Sequence, residues 1–258
     1  IQVSNGSFNL AGMKVKSSVA GQNIVFTSSR DQNTEIYIMD ADGSNEIRLT
    51  NNGDNNNNND VHPSISQVQG KIAYNTNYPD GWVNIYVMEL DGTGKTNLTN
   101  NGPGNSYHSN GPSWSPDGTK IVFRQKLEGG PSNSSQLWTM NADGTNQTQI
   151  TTTNGTYTYP IEPTWSPDGT KITFQARVGT INVPSGSMTN NDIFVIDYDG
   201  SGLQRLTNDA YSNMRPSFSP DGTKIVFQRR GSPFLNPDIY VMNADGSSQS
   251  NVTNHPAN

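Results

Sequence analysis

PSWSPDGTKIVF, residues 112–123, is the stretch that decides the fold, because the chain repeats it. PTWSPDGTKITF follows at 163–174 and PSFSPDGTKIVF at 216–227, and a weaker copy, PSISQVQGKIAY, stands at 63–74. In SPDG, the proline fixes φ at the first corner and the glycine takes the left-handed position, so these four residues form a tight turn. The stretch therefore predicts a β-hairpin that recurs along the chain.

A second element occurs five times, in the form IYVMNADGSS at 239–248, and a short strand ending in Leu, Ile or Val plus Thr follows it. Its x-Asp-Gly turns are spaced 46 to 56 residues apart. Runs such as IVF and IYVM are apolar on both sides, so both faces of each sheet must be covered. Four-stranded antiparallel units of this length that cover one another are the blades of a β-propeller.

At these residues the chain resembles the TolB-type (WD-repeat-like) propeller repeat, whose pattern is similar to the WSPDGTKI, IYVMDADG and LT elements seen here. The resemblance spans about residues 14–254 and implies an all-β propeller. We predict one domain over 1–258 with five four-stranded blades, six blades being the alternative, and a closing or capping segment at 1–13. The blades are expected at about 14–50, 63–99, 112–151, 163–207 and 216–253.

Composition excludes several classes of function. The chain has 258 residues, only 15% of them charged, and a formal net charge of −6. Such a balance argues against a nucleic-acid partner, which needs clustered Lys and Arg. There is no cysteine, which excludes thiolate catalysis, disulfides and Cys-ligated zinc. No apolar run approaches the roughly 18 residues of a membrane span, so we expect no membrane insertion.

The two sets of connections in each unit differ in variability. The SPDG and x-Asp-Gly turns are nearly the same in every unit, which indicates that their Asp and Gly residues form turns. The other set, which joins the second strand to the third and the fourth to the next unit, differs in length and chemistry from unit to unit. A rigid scaffold with varied loops at one end is typical of a binding surface, so we expect function at that end.

Candidate ligand-binding residues lie in those varied connections. The position before the proline of each first strand lies near the mouth of the central channel. It holds two histidines, one glycine, one glutamate and one arginine: His62, Gly111, Glu162, Arg215 and His255. The stretch DNNNNNDVHP at 54–63 leads into the first of them. The full ligand-binding set is Asp60, His62, Trp82, Tyr107, His108, Tyr159, Glu162, Arg215 and His255.

These residue types support three hypotheses. Aromatic faces beside amides and carboxylates suit saccharides, so the main hypothesis is a non-enzymatic, lectin-like propeller. The second is a metal-assisted polysaccharide lyase with a divalent metal on His62, Glu162 and His255, a donor set that metals accept. This reading also follows from the TolB-like repeats of oligogalacturonate-type lyases. The third is a protein–protein interaction scaffold of the cell envelope.

Catalytic motifs do not favour an enzyme. There is no G-x-S-x-G, no H-E-x-x-H and no phosphate-binding glycine motif in the chain. We therefore predict no obligatory cofactor and a glycan or protein as the ligand. The polar, sequon-containing composition favours a secreted, extracellular or periplasmic location.

Overall fold

The computed structural model describes residues 7–10, 13–17, 23–31, 33–53, 59–77, 79–130, 135–152, 157–183, 186–230 and 237–253. Within these ranges the chain is all β and has no helix. The strands form five antiparallel sheets in chain order, which confirms the predicted five-bladed propeller.

The strands of each sheet are hydrogen-bonded in sequence order. Sheet 1 contains β1 Ser7–Leu10, β2 Met13–Ser17, β3 Asn23–Asp31, β4 Asn33–Asp40 and β5 Ile47–Arg48. Sheet 2 contains β6 Asp60–Ser66, β7 Lys71–Thr76, β8 Asn84–Glu89 and β9 Thr96–Asn97. Sheet 3 contains β10 Tyr107–Trp114, β11 Lys120–Leu127, β12 Gln136–Asn141 and β13 Thr148–Gln149. Sheet 4 contains β14 Thr158–Trp165, β15 Lys171–Val183, β16 Gly186–Asp197 and β17 Gln204–Arg205. Sheet 5 contains β18 Ser212–Phe218, β19 Lys224–Arg230, β20 Asp238–Asn243 and β21 Ser250–Asn251.

Short polar side chains close the repeated turns. In the turn between β10 and β11, the Asp117 carboxylate accepts hydrogen bonds from Ser115 Oγ at 2.6 Å and from Thr119 N at 3.0 Å. In the turn between β12 and β13, Asp143 accepts from Thr145 N at 3.0 Å and from its hydroxyl at 2.6 Å. Each aspartate thus satisfies the donors of its own turn, which explains why the same residues recur.

The core lies between the sheets, because the two faces of each strand pair pack against different neighbours. Between sheets 3 and 4, Val122 and Leu137 pack against Phe174 and Phe194, and all four side chains are buried. The two phenylalanine rings stack with centroids 5.6 Å apart. Equivalent clusters join sheets 1 and 2, 2 and 3, and 4 and 5. Full burial of such a side chain contributes about 1.5–3 kcal/mol.

The first strands of the blades lie at the centre. β2 contacts β6, and β6, β10, β14 and β18 contact one another in that order. Hydrogen bonds cross between these inner strands: Trp165 Nε1 donates to the Ser113 carbonyl at 3.0 Å, and Trp114 N donates to Ser64 Oγ at 3.2 Å. The strand β1, within the predicted capping segment, extends sheet 1 beyond β2, with Asn9 opposite Lys14.

Candidate functional site

The two ends of the propeller differ in how far their polar groups satisfy one another. We call the end with the SPDG and x-Asp-Gly turns the turn face, and the end with the varied connections the loop face. On the turn face, the carboxylates accept a hydrogen bond from the backbone N–H two residues later, at Asp42, Asp91, Asp117, Asp143, Asp168, Asp199, Asp221 and Asp245. The Ser and Thr donors of each turn lower the pKa of its aspartate, that of Asp221 to about 2. These aspartates act as turn formers.

On the loop face, four residues occupy equivalent left-handed backbone positions. We call them the mouth ring: His62 (φ 57°), Gly111 (63°), Glu162 (55°) and Arg215 (54°). Each precedes the proline of an inner strand, at a point where the pairing with the second strand shifts register. Left-handed backbone suits glycine, and at a non-glycine residue it costs of order 1–3 kcal/mol. Three of the four positions carry this strain together with a polar side chain.

Amide side chains of the neighbouring second strand hold the mouth ring. Asn75 Oδ1, on sheet 2, accepts the Gly111 N–H of sheet 3 at 3.2 Å. Gln175 Oε1, on sheet 4, accepts the Arg215 N–H of sheet 5 at 2.6 Å. Asn75 Oδ1 also lies 3.0 Å from His62 Nδ1. Because this amide oxygen is an acceptor, the Nδ1 atom of His62 carries the proton. The ring is therefore fixed to the scaffold across sheet boundaries.

Trp82 and His108 form a second cluster on the loop face, between sheets 2 and 3. Their rings stack with centroids 5.4 Å apart and an interplanar angle of 21°. His108 Nδ1 accepts the Val83 N–H at 3.2 Å, so Nε2 carries the proton and donates it to Glu128. Tyr107, half-buried, precedes His108 at the start of β10. This arrangement offers a fixed, flat aromatic surface beside a carboxylate.

Tyr159 lies at the start of β14 between two arginines. The guanidinium carbon of Arg124, from sheet 3, is 4.7 Å from the centre of the tyrosine ring, and that of Arg177, from sheet 4, is 4.4 Å away. Arg124 Nη1 also donates to the Tyr159 hydroxyl at 3.2 Å. Tyr159 is itself in the left-handed region, with φ 57°. These three half-buried side chains place two positive charges beside the mouth ring.

Asp60 lies inside the protein, between sheets 1 and 2. It is 1% exposed and close to Glu35, which is 0% exposed. Burial and then the negative charge of Glu35 raise the pKa of Asp60 to about 6. Glu35 accepts from Asn33 Nδ2 at 2.6 Å and from Arg48 Nη2 at 3.1 Å. Asp60 therefore belongs to an inter-sheet network, whereas His62, two residues later, belongs to the mouth ring.

The metal hypothesis depends on a residue that the structure does not describe. His255 lies outside the described residues, as do residues 54–58 of the asparagine run. Among the residues that are described, no group of three or more His, Asp or Glu side chains is placed to hold a metal ion. His62 and Glu162 are both in the mouth ring, on sheets 2 and 4.

Sequence reasoning did not single out Arg124, Arg177 or Glu128 as functional residues. The strands that carry the KIVF element, β3, β7, β11, β15 and β19, contain a signal for Arg124. The residue after the aromatic of KIVF is Thr27, Asn75, Arg124, Gln175 and Gln228 in successive sheets. A position that is polar in every unit and different in most of them indicates a contact specific to each sheet boundary.

The fold and the loop face together define a five-bladed β-propeller with a uniform turn face and a sheet-specific channel mouth. Residues 61–183 match the family described as TolB beta propeller domain, in agreement with the predicted resemblance of the repeat. Among the described residues, no helix combines the length and the apolar character that crossing a membrane requires.

Known proteins of this type are similar to parts of the chain. A Protein TolB homolog of Chlorobium luteolum is 33% identical over 158 residues, 48% of this chain and 34% of the relative. The Tol-Pal system protein TolB of Geobacter sulfurreducens is 31% identical over 70 residues, 27% of this chain and 16% of the relative. The crystal structure of TolB from Acinetobacter baumannii has a TM-score of 0.68 at 23% identity, over 89% of this chain and 51% of that one. The structural likeness shows the fold alone, and the chain spans about a third or less of these curated relatives.

Proposed function

We propose that this chain is a protein-binding propeller of the cell envelope, located in the periplasm, which holds a partner polypeptide at the channel mouth on its loop face. The repeat type supports the proposal, as does the name of the Geobacter relative, which presents that protein as one component of a Tol-Pal system. A protein partner replaces a glycan as the favoured ligand, since the two curated relatives described above carry TolB names rather than lectin names.

The mouth ring is the observation that carries the proposal. His62, Glu162 and Arg215 each hold a polar side chain on a strained left-handed backbone, at a position where Gly111 shows that glycine fits. Strain of this kind persists where the surrounding structure enforces it, and it is concentrated at functional sites. One cationic, one anionic and one imidazole group around one mouth suit a polypeptide that presents several kinds of side chain.

Site-specific photocrosslinking tests which face binds. Tyr107 on the loop face and Tyr198 on the turn face serve as the two positions, because both are tyrosines with access to solvent, Tyr107 half-buried and Tyr198 46% exposed. Each is replaced in turn by the photoreactive residue benzoylphenylalanine, and the protein is irradiated with a cell-envelope extract. We expect discrete adducts, identified by mass spectrometry as one or few polypeptides, from position 107 only. Equal adducts from both positions, or adducts from position 198 alone, would overturn the proposal.

Glycine variants separate binding from folding. Glu162→Gly and Arg215→Gly remove the side chain and relieve the left-handed strain, so we expect an unchanged or higher melting temperature. The adduct yield at position 107 should fall at the same time. Unchanged adducts in both variants would show that the mouth ring is not the binding site. A positive glycan array without any protein adduct would favour the lectin hypothesis instead.

A further inference from the structure

Among the described residues, three arginines at the channel mouth have no carboxylate partner. Four other arginines pair with acids: Arg30 with Glu46, Arg48 with Glu35, Arg205 with Asp192 and Arg229 with Asp209. Within the described part of the chain, no carboxylate lies within 4 Å of the guanidinium groups of Arg124, Arg177 or Arg215. The difference occurs in a chain that has 22 acidic and 16 basic residues.

Two of the three arginines contact the same tyrosine ring. Arg124 and Arg177 approach the ring of Tyr159 to 4.7 and 4.4 Å, measured from each guanidinium carbon to the ring centre. Cation–π attraction of about 0.5–2 kcal/mol for each pair offsets part of the repulsion between the two charges. Arg124 Nε is buried and, among the described residues, has no hydrogen-bond acceptor. An anion bound beside the two guanidinium groups would reduce the repulsion between their charges.

The third arginine lies on the next sheet of the same mouth. The Arg215 N–H donates to Gln175, two residues before Arg177 on β15, and its Nη1 lies 3.4 Å from Gln228 Oε1. Arg215 is therefore oriented by neutral amides, which leave its positive charge uncompensated. The three arginines therefore lie on sheets 3, 4 and 5, and the mouth ring also holds the Glu162 carboxylate on sheet 4.

We propose that Arg124 and Arg177, with Arg215 beside them, form a carboxylate-binding site that recognises an acidic segment of the partner polypeptide. The proposal rests on the protein-binding function argued above and names the chemistry of the partner. A guanidinium that covers an aromatic ring keeps its N–H edges available, and these edges match a carboxylate in bidentate geometry. Aspartate or glutamate side chains in an extended segment supply such groups at repeated intervals.

A charge-matched pair of peptides tests the site. The probes are a fluorescein-labelled decapeptide of alternating Asp and Ser and its Asn-for-Asp counterpart, titrated by fluorescence polarisation with the full chain. We expect binding of the Asp peptide that weakens steeply with added salt, and at least about tenfold weaker binding of the Asn peptide. Equal binding of the two peptides would overturn the proposal.

Substitutions in the protein locate the binding. Arg177→Gln removes one charge from a side chain that stacks on Tyr159 and makes no hydrogen bond or ion pair with the described residues. We expect it to weaken binding of the Asp peptide about tenfold, and Arg177→Lys to weaken it less, because the charge remains but the planar fork is lost. Lys95→Gln, an equal loss of charge at an exposed residue of the turn face, should leave binding unchanged. Equal effects of the substitutions at 177 and 95 would show that only the net charge matters and would overturn the site.

Three further outcomes distinguish a failure of the acidic-segment assignment from a failure of the proposed function. If the adducts at position 107 persist while Arg177→Gln leaves the peptide titration unchanged, the charge assignment fails and the protein-binding function stands. If position 107 gives no adducts and the Asp peptide does not bind, both proposals are overturned. If trigalacturonate, a carboxylate-bearing sugar, binds tightly and the Asp peptide does not, the site belongs to an acidic glycan and the polypeptide assignment is overturned.

Discussion

The four boundaries between neighbouring sheets and the side of sheet 5 that faces away from sheet 4 are built from the same repeat positions. They differ in how far their apolar side chains are buried. The apolar residue that closes each unit is 6–8% exposed at Leu49, Leu98, Ile150 and Leu206, but the equivalent Val252 is 58% exposed. Val226, Ile239 and Val241 on the same side of sheet 5 are half-buried. The equivalent side chains of sheet 2, Ala73, Ile85 and Val87, are 0%, 0% and 6% exposed.

The glycines of the x-Asp-Gly turns show the same difference. A Cβ atom added to Gly92, Gly144, Gly200 or Gly246 would lie 2.8–2.9 Å from a carbonyl oxygen of the preceding sheet. One added to Gly43, the equivalent residue of sheet 1, would meet nothing within 4 Å. Identical sequence motifs therefore contribute different stability according to the neighbour that covers them. This is the behaviour of repeat proteins, in which a unit cannot bury its own apolar face.

The largest effect is expected inside a covered boundary. Phe174→Ala removes a fully buried ring that contacts Tyr157 and Phe194, and we expect it to lower the free energy of unfolding by about 3–5 kcal/mol. Val252→Ala, on the open side of sheet 5, should lower it by less than about 0.5 kcal/mol. Urea denaturation of both variants measures the difference. Comparable losses would show that the side of sheet 5 is covered in solution.

Asp60 adds a pH-dependent effect to the covered boundary between sheets 1 and 2. Because the pKa of Asp60 is raised to about 6 in the folded protein, the folded state binds more protons than the unfolded state between about pH 4 and 6. At pH 7, Asp60 therefore lowers the free energy of unfolding by about 2–3 kcal/mol relative to its contribution below about pH 4. This contribution becomes more favourable as the pH falls through 6.

Asp60→Asn tests this assignment of the titrating group. We expect the variant to be more stable than the wild type at pH 7, with the gain shrinking at pH 5, as measured by urea denaturation at both pH values. The turn aspartates, whose pKa values are lowered, act in the opposite direction and mainly below pH 4, so the difference between the two proteins isolates Asp60. A gain that does not change with pH would contradict the raised pKa.

Much of the fold and less of the site could be predicted from the sequence, for a physical reason. Turn chemistry and strand patterning are local, so five Asp-Gly turns spaced 46 to 56 residues apart were enough to predict five blades. The site depends on contacts between sheets. Arg124 meets Tyr159, 35 residues later in the chain, only because sheet 3 packs on sheet 4. Asp60 and His62 are two residues apart in sequence, but the register shift between Val61 and Ser64 gives them different surroundings.

Two glycines with the same backbone geometry isolate the steric part of the comparison. Gly144 and Gly43 both have φ 86°, so an alanine costs about 1–2 kcal/mol at either position through left-handed strain. Gly144→Ala also brings Cβ to 2.8 Å from the Leu98 carbonyl oxygen, which we expect to add about 1–3 kcal/mol. Thermal and urea unfolding of the two variants measure that difference, and equal destabilisation would mean that no blade presses on the turn at Gly144.

The smallest effect concerns a hydrogen bond that occurs both in sheet 2, where it is buried, and in sheet 5, where it is exposed. Thr99 Oγ1 accepts the buried Ile85 N–H at 3.0 Å, and Thr253 Oγ1 accepts the exposed Ile239 N–H, also at 3.0 Å. In Thr99→Val the N–H loses its acceptor away from water, at a cost of about 1–2 kcal/mol. In Thr253→Val water replaces the hydroxyl, so the expected change is about zero. Amide hydrogen exchange reads each bond directly: exchange at residue 85 should accelerate in the first variant, whereas residue 239 should already exchange fast in the wild type. Slow exchange at residue 239 would place a cover over sheet 5 and remove the difference on which the comparison depends.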